Sequence, residues 1–281
     1  NAPAKNIEGI SIFLKKNINK KDFFFNIYGN ESLIINEIGK HKISNEFYKI
    51  FHSSTVVSDE ETPLTAIKNS KDSSMWNSIN SQMELNSHIS LSAGNTGVMF
   101  VISRMILKTI KSVSKPALAG LWPSEKNMSV VLDLGANVEC DDKNLVEFAE
   151  MGAALYKSLF PEDSVKVALL NIGSEEIKGT ETLKKAYSKL KEISKHGDFQ
   201  FDGFIEGNKI TQGFSNVIVT DGFTGNIALK TAEGTVKFIT DSLKNTLTET
   251  LLSKFSIVFS YFALKKFKAK LDPRKFNGAI F

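Results

Sequence analysis

The sequence has little of the chemistry that marks several large protein classes. Its 281 residues include one cysteine, Cys140, which excludes an internal disulfide framework and a zinc site built from cysteines. This composition fits a reducing cytoplasm. The first residues show no basic region followed by an apolar run, so we expect no signal peptide. No window approaches the roughly 18 consecutive apolar residues of a membrane span.

Motifs of several catalytic classes are also absent. There is no G-x-S-x-G elbow, H-E-x-x-H helix, G-x-G-x-x-G fingerprint or P-loop. Cys140 is better interpreted as a small buried thiol than as a nucleophile. The histidines all lie outside the glycine-rich loops discussed below: His41, His52, His88 and His196. We therefore expect no activated side-chain nucleophile, no cofactor and no metal.

Composition narrows the remaining possibilities. Hydrophobic residues make up 42% of the chain, which is enough for a packed core and argues against disorder. The net charge of +4 and the pI of about 8.9 suit an acidic partner or an anionic surface. No nucleic-acid-binding fingerprint accompanies this charge, so we expect no nucleic acid partner.

The sequence alternates between apolar strands, glycine loops and helices. Four segments each indicate a strand followed by such a loop: "HISLSAGNTG" (88–97), "MSVVLDLGANVEC" (128–140), "VKVALLNIGSEEIKG" (165–179) and "NVIVTDGFTGNIALK" (216–230). Helices are predicted over 4–18, 31–39, 97–113, 143–159, 181–195 and 226–250, with further strands over 22–29 and 48–54, and a helix start at "KDSSM" capped by Ser73 or Ser74.

This alternation predicts an α/β fold, with a mainly parallel sheet flanked by helices and residues 1–281 forming a single catalytic domain. In such sheets, the loops that follow the carboxyl ends of the strands line one crevice. We therefore expect the four glycine loops to share a cleft.

The loop "SAGNTG" permits two interpretations. The exposed N–H groups and the dipole of the following helix would bind an anion, assisted by Ser92, Asn95 and Thr96. Alternatively, the loop is only a capped turn. The "DGFTGN" loop likewise fits either a binding site or an Asx-turn with an N-cap.

Of the two remaining loops, one has a sequence pattern that explains its polar residues as a helix cap, and the other does not. The sequence "GSEE" fits a capping box, with Ser174 opening a helix. "DLGANVEC" has no evident cap pattern, so a structural explanation of Asp133 and Asn137 is harder to find. With donors, lysines and carboxylates but no nucleophile, the loops suit a reaction in which an anion such as inorganic phosphate attacks, since phosphate needs positioning more than deprotonation.

The motifs "KDSSM", "SAGNTG", "LDLGANVEC", "NIGSEEIKG", "FIEGNKI", "DGFTGNIALK" and "LDPRKFNGA" occur in this order. Together they resemble the PlsX family of phosphate acyltransferases over nearly the whole chain. The resemblance implies acyl transfer from acyl-acyl carrier protein to inorganic phosphate. The acyl phosphate would serve a downstream glycerol-3-phosphate acyltransferase of phospholipid synthesis. It also implies an isocitrate/isopropylmalate-dehydrogenase-like fold, a homodimer, and a cytoplasmic protein in peripheral contact with the membrane.

The chain departs from the family pattern in a few places. Family members carry a strand with an Asp-Ala-Met-Gly-Gly-Asp run before the position of Asn1. They also continue past "NGA" into a strand with a Lys-Ser-His-Gly run. Both terminal strands are absent from these 281 residues, and we expect both to reach the cleft. Ser174 replaces a common acidic residue and Trp122 a common leucine, and neither changes the predicted reaction.

Residues and resemblance together predict the site. The predicted catalytic residues are Asn95, Asp133, Asn137, Lys178, Asp221 and Asn226. The predicted substrate- and phosphate-binding residues are Ser92, Gly94, Thr96, Gly97, Gly135, Glu175, Glu176, Gly222, Gly225 and Lys230. The alternatives are a phosphotransacetylase-like enzyme that uses acyl-coenzyme A and a non-catalytic anion-binding or membrane scaffold.

The region 235–276 has a separate pattern. Apolar residues recur every four positions from Ile239 to Phe259, and lysines follow an aromatic-rich stretch. An apolar tip beside cations is typical of an element that lies on anionic lipid. We therefore predict a projecting helical hairpin whose contacts with the membrane or the carrier protein are Phe255, Phe259, Phe262, Lys265 and Lys266. The alternative is a helix buried against the body or a dimer partner.

Overall fold

We describe the protein from a computed structural model that covers residues 2–17, 22–57, 70–126, 128–250, 259–267 and 278–280. The chain divides into two compact units, Asn1–Ile110 and Lys111–Phe281. Each unit is built around clusters of buried apolar residues of its own. That residues 1–281 act as one catalytic domain stays a prediction.

Unit 1 contains four α-helices and two strands within the described residues, besides a short 3₁₀ helix at Asn45–Phe47. They are α1 (Ala2–Lys16), β1 (Phe25–Gly29), α2 (Glu31–His41), β2 (Tyr48–His52), α3 (Ser74–Met83) and α4 (Thr96–Leu107). The two strands pair in parallel. Ile7, Ile34 and Ile38 form a buried cluster between α1 and α2. The predicted cap of α3 is confirmed, because the Ser73 hydroxyl accepts from the Trp76 N–H at 3.2 Å.

The strand predicted at the beginning of "HISLSAGNTG" is wrong. Residues 88–95 are irregular, and no described strand pairs with them. Alternating Ile89 and Leu91 suggested a half-buried strand, but these side chains are 74% and 78% exposed. Period-2 alternation therefore does not correspond to burial here. The helix that follows ends at Leu107, short of the predicted residue 113.

Unit 2 contains most of the predicted α/β pattern. Its elements are β3 (Leu118–Pro123), β4 (Met128–Leu132), α5 (Asp142–Leu159), β5 (Lys166–Leu170), α6 (Glu181–Ile193), β6 (Gln200–Ile205), β7 (Val217–Val219), α7 (Gly222–Thr248), α8 (residues 259–267) and β8 (Gly278–Ile280). The sheet order is β6-β5-β7-β4-β3-β8. Neighbours from β6 to β4 are parallel, whereas β3 runs antiparallel to β4 and β8. The mainly parallel sheet is thus confirmed, although β3, β6 and β8 were not predicted.

Both faces of this sheet are covered, which explains why its central strands are continuously apolar. On β4, Val130 and Leu132 pack with α5 and α6 around Phe148. Val131, which points to the opposite face, packs with Ile218 against the side of α7. Alternate side chains of one strand therefore serve two cores. This arrangement leaves the strand ends, and the loops that follow them, as the parts of the sheet open to a ligand.

The C-terminal region is described only in part. Helix α7 runs to Thr248, and residues 259–267 form the separate helix α8. Residues 251–258 and 268–277, including Phe255, lie outside the described residues, so the hairpin stays a prediction. Phe259 and Phe262 are 89% and 81% exposed. Within the described ranges, no helix combines the length and apolarity that crossing a membrane requires.

Candidate active site

Three of the four glycine loops belong to unit 2, and each follows the carboxyl end of a parallel strand of its sheet. Strands β5, β7 and β4 are parallel neighbours, so the loops that follow them begin side by side. The "SAGNTG" loop belongs to unit 1.

Asp133, the first residue after β4, organises the loop that follows. Its carboxylate is fully buried and accepts N–H bonds from Gly135 at 3.1 Å, Ala136 at 3.0 Å and Asn137 at 2.7 Å. The Leu118 N–H, at the start of β3, donates a further bond at 3.0 Å. A buried charge must be satisfied in this way to be tolerated. The carboxylate therefore fixes the loop and ties it to β3.

The donors of this loop converge on the Asp133 carboxylate. The N–H groups of Gly135, Ala136 and Asn137 all bind it. The Asn137 side-chain amide is also engaged, donating to Asp133 at 2.8 Å and to the Pro116 carbonyl at 2.8 Å. Asp133 and Asn137 thus hold the loop together, and their catalytic role stays a prediction.

Helix α7 begins in direct contact with this loop. The Gly222 N–H donates to the Asn137 carbonyl at 2.8 Å. A Cβ atom at Gly222 would lie 2.5 Å from that same oxygen, and one at Gly225 would overlap the backbone carbonyl of Asp133. Only glycine permits such a close approach. The two glycines predicted as binding residues therefore bring the start of α7 against the β4 loop.

The first turn of α7 retains one open donor. Asp221 caps the helix, accepting from the Thr224 N–H and hydroxyl at 2.8 Å each. Of the first four N–H groups of the helix, only that of Phe223 has no partner within the described part of the chain. Asn226, exposed on the next turn, donates to the Leu134 carbonyl at 3.3 Å. The helix start therefore presents the Phe223 N–H and the remaining polar atoms of Asn226.

The β5 loop holds a lysine–carboxylate pair. Lys178 Nζ lies 2.9 Å from Glu175 Oε1, and both side chains are about half exposed. The Glu175 contact raises the pKa of Lys178, and the same contact lowers the pKa of Glu175. Lys178 is therefore a cation paired with Glu175 in the loop that follows β5.

Glu176 points away from this pair. Its carboxylate accepts from the Tyr187 hydroxyl at 2.6 Å and contacts Lys191 Nζ at 3.0 Å. These two groups of α6 lower its pKa, Tyr187 contributing most. The capping box expected at Ser174 is wrong, because α6 begins only after Thr180, which supplies the cap. Glu176 therefore attaches the loop to α6.

Lys230 is not brought to the loops by any described contact. Its Nζ lies 2.9 Å from Glu233 Oε2 on the same helix, and the side chain is exposed. Such an exposed pair between neighbouring turns contributes little stability. Its role in binding a substrate stays a prediction.

In unit 1, the "SAGNTG" loop is a capped helix start. Asn95 Oδ1 accepts from the Val98 N–H at 3.1 Å, and the Ser92 hydroxyl accepts from the Gly94 N–H at 3.1 Å. The first turn of α4 contains no acidic residue. The N–H groups of Thr96 and Gly97 lie in that first turn, where helices lack internal partners. The cap is therefore present, and the role of this loop in binding an anion stays a prediction.

Sequence reasoning missed Asn171. It is the first residue after β5, just as Asp133 is the first after β4, and its amide bonds both ends of the β5 loop. A polar residue directly after a buried strand was the signal that could have identified it. No group of three or more His, Cys, Asp or Glu residues able to hold a metal occurs in the described ranges.

The chain was compared with protein families and with individual relatives. The family model described as "Fatty acid synthesis protein" matches residues 1–281. A phosphate acyltransferase of Pelagibacter ubique is 52% identical over 281 residues, covering 100% of this chain and 83% of that protein. One of Maricaulis maris is 39% identical over 279 residues, covering 99% and 79%. The chain therefore belongs to this fatty acid synthesis family, and the PlsX resemblance is confirmed.

Solved structures resemble the fold. A phosphotransacetylase from Streptococcus pyogenes matches with a TM-score of 0.53 at 16% identity, covering 73% of this chain and 72% of that one. The EutD phosphotransacetylase from Staphylococcus aureus matches with a TM-score of 0.50 at 14% identity, covering 83% and 87%. At these identities the likeness concerns the fold alone. The more specific isocitrate-dehydrogenase-like assignment stays a prediction.

Proposed function

We propose that this chain is a phosphate acyltransferase, which transfers an acyl group from acyl-acyl carrier protein to inorganic phosphate. The observation that carries the proposal is the family match over residues 1–281, together with relatives of that name at 52% and 39% identity. The acyl phosphate formed is an activated donor, which suits consumption by a downstream glycerol-3-phosphate acyltransferase.

We assign phosphate to the start of α4 in unit 1. The side-chain cap there, Asn95, is neutral, and no acidic residue lies in the first turn. The helix dipole and the N–H groups of Thr96 and Gly97 therefore act on an anion without a competing negative charge. Ser92 and Gly94 shape the turn before the cap.

We assign the thioester carbonyl to the start of α7 in unit 2. Asp221 caps this helix with a carboxylate, which disfavours a dianion but tolerates a neutral carbonyl. The Phe223 N–H and the Asn226 amide are the donors for the oxyanion that develops there. Lys178 supplies positive charge from the β5 loop. The N–H groups of residues 135–137 are bound to Asp133 and are not among these donors.

The reaction then needs no protein nucleophile. A phosphate oxygen attacks the thioester carbonyl carbon and forms a tetrahedral intermediate. Collapse of that intermediate breaks the carbon–sulfur bond and releases the carrier's thiolate, while the new oxygen–carbon bond gives acyl phosphate. Because thiolate is a good leaving group, the protein's contribution is positioning and stabilisation of the oxyanion.

The decisive experiment measures acyl phosphate formed from acyl-acyl carrier protein and phosphate. Asn95→Asp keeps the cap acceptor but adds a negative charge, so the KM for phosphate should rise about tenfold or more. Asn95→Ser keeps a neutral cap and is the matched control, with a much smaller change. A normal phosphate KM in Asn95→Asp would contradict the assignment. Absence of turnover with any acyl thioester would favour a non-catalytic scaffold instead.

A second candidate donor is acyl-coenzyme A, which the phosphotransacetylase fold of the structural neighbours favours. The two donors are distinguished by comparing kcat/KM for the same acyl group on each carrier. We expect the acyl carrier protein to be preferred. A preference for the coenzyme would replace the proposed donor and leave the acyl transfer to phosphate intact.

Peripheral membrane contact and a homodimer complete the proposal. Phe259 and Phe262 are exposed on α8, and Lys265 and Lys266 follow on the same helix, a pattern suited to anionic lipid. Phe259→Ser combined with Phe262→Ser should reduce binding to anionic vesicles without altering the circular dichroism spectrum. Unchanged binding would contradict the membrane role. Sedimentation of the wild-type protein tests the dimer.

A further inference from the structure

We infer that Asn171 and Gly173 are positioning residues, which hold Lys178 in place within the loop that follows β5. The inference deepens the proposed function, because it rests on Lys178 acting on the oxyanion that develops at the start of α7 in the same unit. Neither residue was among the predicted site residues. Each acts on a different part of Lys178, Asn171 on its backbone and Gly173 on its side chain.

Asn171 fixes the backbone of the loop. It is buried, and its own N–H bonds the Ile205 carbonyl of β6 at 2.8 Å. Its side-chain amide donates to the Lys178 carbonyl at 3.1 Å, while its Oδ1 accepts from the Ile172 N–H at 2.9 Å. One side chain thus joins the beginning of the loop to its end. Because the strand end is rigid, the Lys178 backbone is held relative to the sheet.

The residue after Lys178 is adapted to this contact. Gly179 has a φ of 93°, a region that favours glycine. A Cβ atom there would lie 2.5 Å from Asn171 Oδ1. The loop can therefore close onto the Asn171 amide only with glycine at this position, which indicates that the contact depends on a specific backbone geometry.

Gly173 fixes the side chain of the lysine. A Cβ atom at Gly173 would collide with the Lys178 methylene chain and would lie 3.0 Å from its Nζ. It would also lie 2.8 Å from Glu175 Oε2. The lysine and its carboxylate partner therefore lie directly over the bare backbone of Gly173. The absence of a side chain there sets the position of the ammonium group.

The structure also explains why position, rather than protonation, is what the loop controls. The neighbouring Glu175 carboxylate raises the pKa of Lys178, and Glu206 after β6 adds to this. The ammonium is therefore charged throughout the neutral range. What remains variable is its distance from the anion, on which its Coulombic attraction depends.

The test uses two variants that displace Lys178 by different routes. Asn171→Asp removes the amide donor without changing side-chain size. Gly173→Ala keeps an allowed backbone, since this glycine has no positive φ, but places a methyl group where Lys178 lies. Both should lower kcat roughly fivefold or more while changing the KM for phosphate by less than about twofold, since the loss of an interaction made only in the transition state appears in kcat.

The matched control is Asn216→Asp. Asn216 also joins two backbone groups, the Lys166 N–H and the Ser164 carbonyl at 2.7 Å each, but at the opposite ends of the strands. It should leave kcat unchanged. Thermal unfolding of all variants is measured in parallel, so that a loss of folded protein is separated from a change in kcat.

A double-mutant cycle with Lys178→Ala decides the matter. If Asn171 and Gly173 act through Lys178, their effects on kcat disappear in the Lys178→Ala background. Effects that multiply unchanged in that background would overturn the inference. So would an unchanged kcat in Lys178→Ala alone, although the acyltransferase proposal would then stand. Failure of the wild-type protein to make acyl phosphate would overturn the proposed function itself.

Discussion

Cys140 is a half-buried thiol whose surroundings suppress its reactivity. Burial raises its pKa to about 11, and the nearby Asp133 and Asp221 charges act in the same direction. Since the thiolate is the reactive form, alkylation by iodoacetamide should be slow near neutral pH and should accelerate as the pH approaches 11. Mass spectrometry of the labelled chain measures the rate. Cys140→Ser should retain normal turnover, and a loss of activity would contradict a passive thiol.

Asp133 shows how far single residues can be interpreted from sequence. The absence of a cap pattern around it correctly marked it as needing an explanation. Its actual environment depends on the Leu118 N–H, which comes from a strand that the sequence did not predict. The convergence of donors from two elements on one carboxylate is a tertiary property. The sequence could therefore indicate that Asp133 has a specific role, but not which donors surround its carboxylate.

Helix α7 provides a direct test of the packing at the element scale. Gly225→Ala would drive a methyl group into the Asp133 backbone carbonyl, so the helix must shift. We expect unfolding to become easier by about 1–3 kcal/mol, and turnover to fall because the Phe223 N–H moves with the helix. Urea denaturation and the acyl phosphate assay measure the two effects.

The same helix offers the control. A Cβ atom at Gly234 would have no neighbouring atom within 4 Å. Gly234→Ala should therefore stabilise the helix by up to about 1 kcal/mol. Activity should be retained. If both alanine variants behaved alike, close packing at the start of α7 would not be the cause.

Elements were predictable where local pattern and burial agreed. Strands β4, β5 and β7 are continuous apolar runs buried on both faces, and α5 and α6 were placed within two residues of their observed ends. Strand β6 was not predicted because Gly203, with a φ of 86°, interrupts its apolar pattern near a register shift. The strand predicted at the start of segment 88–97 was wrong because its apolar alternation is not accompanied by burial.

Across unit 2, two tyrosines link stability to alkaline pH. Burial, followed by hydrogen bonds to Asp163 and Glu176 respectively, raises the pKa of Tyr156 and of Tyr187 to about 12. Because the folded pKa exceeds the unfolded value of about 10, this stabilisation is complete below pH 10. It is lost as pH rises towards 12. Denaturation midpoints should fall across this window.

Spectroscopic titration provides the check. Part of the tyrosinate absorbance of the folded protein should appear about two pH units late, and Tyr156→Phe with Tyr187→Phe should remove that late phase. The double variant should also flatten the decline in stability above pH 10. A decline of the same steepness in the variant would show that other groups cause it.

For the molecule as a whole, the parallel sheet and its three aligned loops followed from the alternation of strands and helices. The division after Ile110 did not, because no linker or change in composition marks it. Such boundaries are set by the density of long-range contacts, which local patterns do not record. The site residues likewise needed coordinates, since their donors come from segments far apart in sequence.

The loops that follow β4 and β5 in unit 2 should respond differently to ionic strength. Asp133 is buried, and all its partners are uncharged dipoles, so added salt has no counter-ion to exchange there. Lys178 and Glu175 are half exposed, and their attraction weakens as the Debye length falls from about 10 Å at 0.1 M salt to about 3 Å at 1 M. Raising the salt concentration should therefore loosen the lysine loop while the β4 loop keeps its shape. Salt dependence of the reaction would then arise from the loop that holds Lys178 rather than from the loop that holds Asp133.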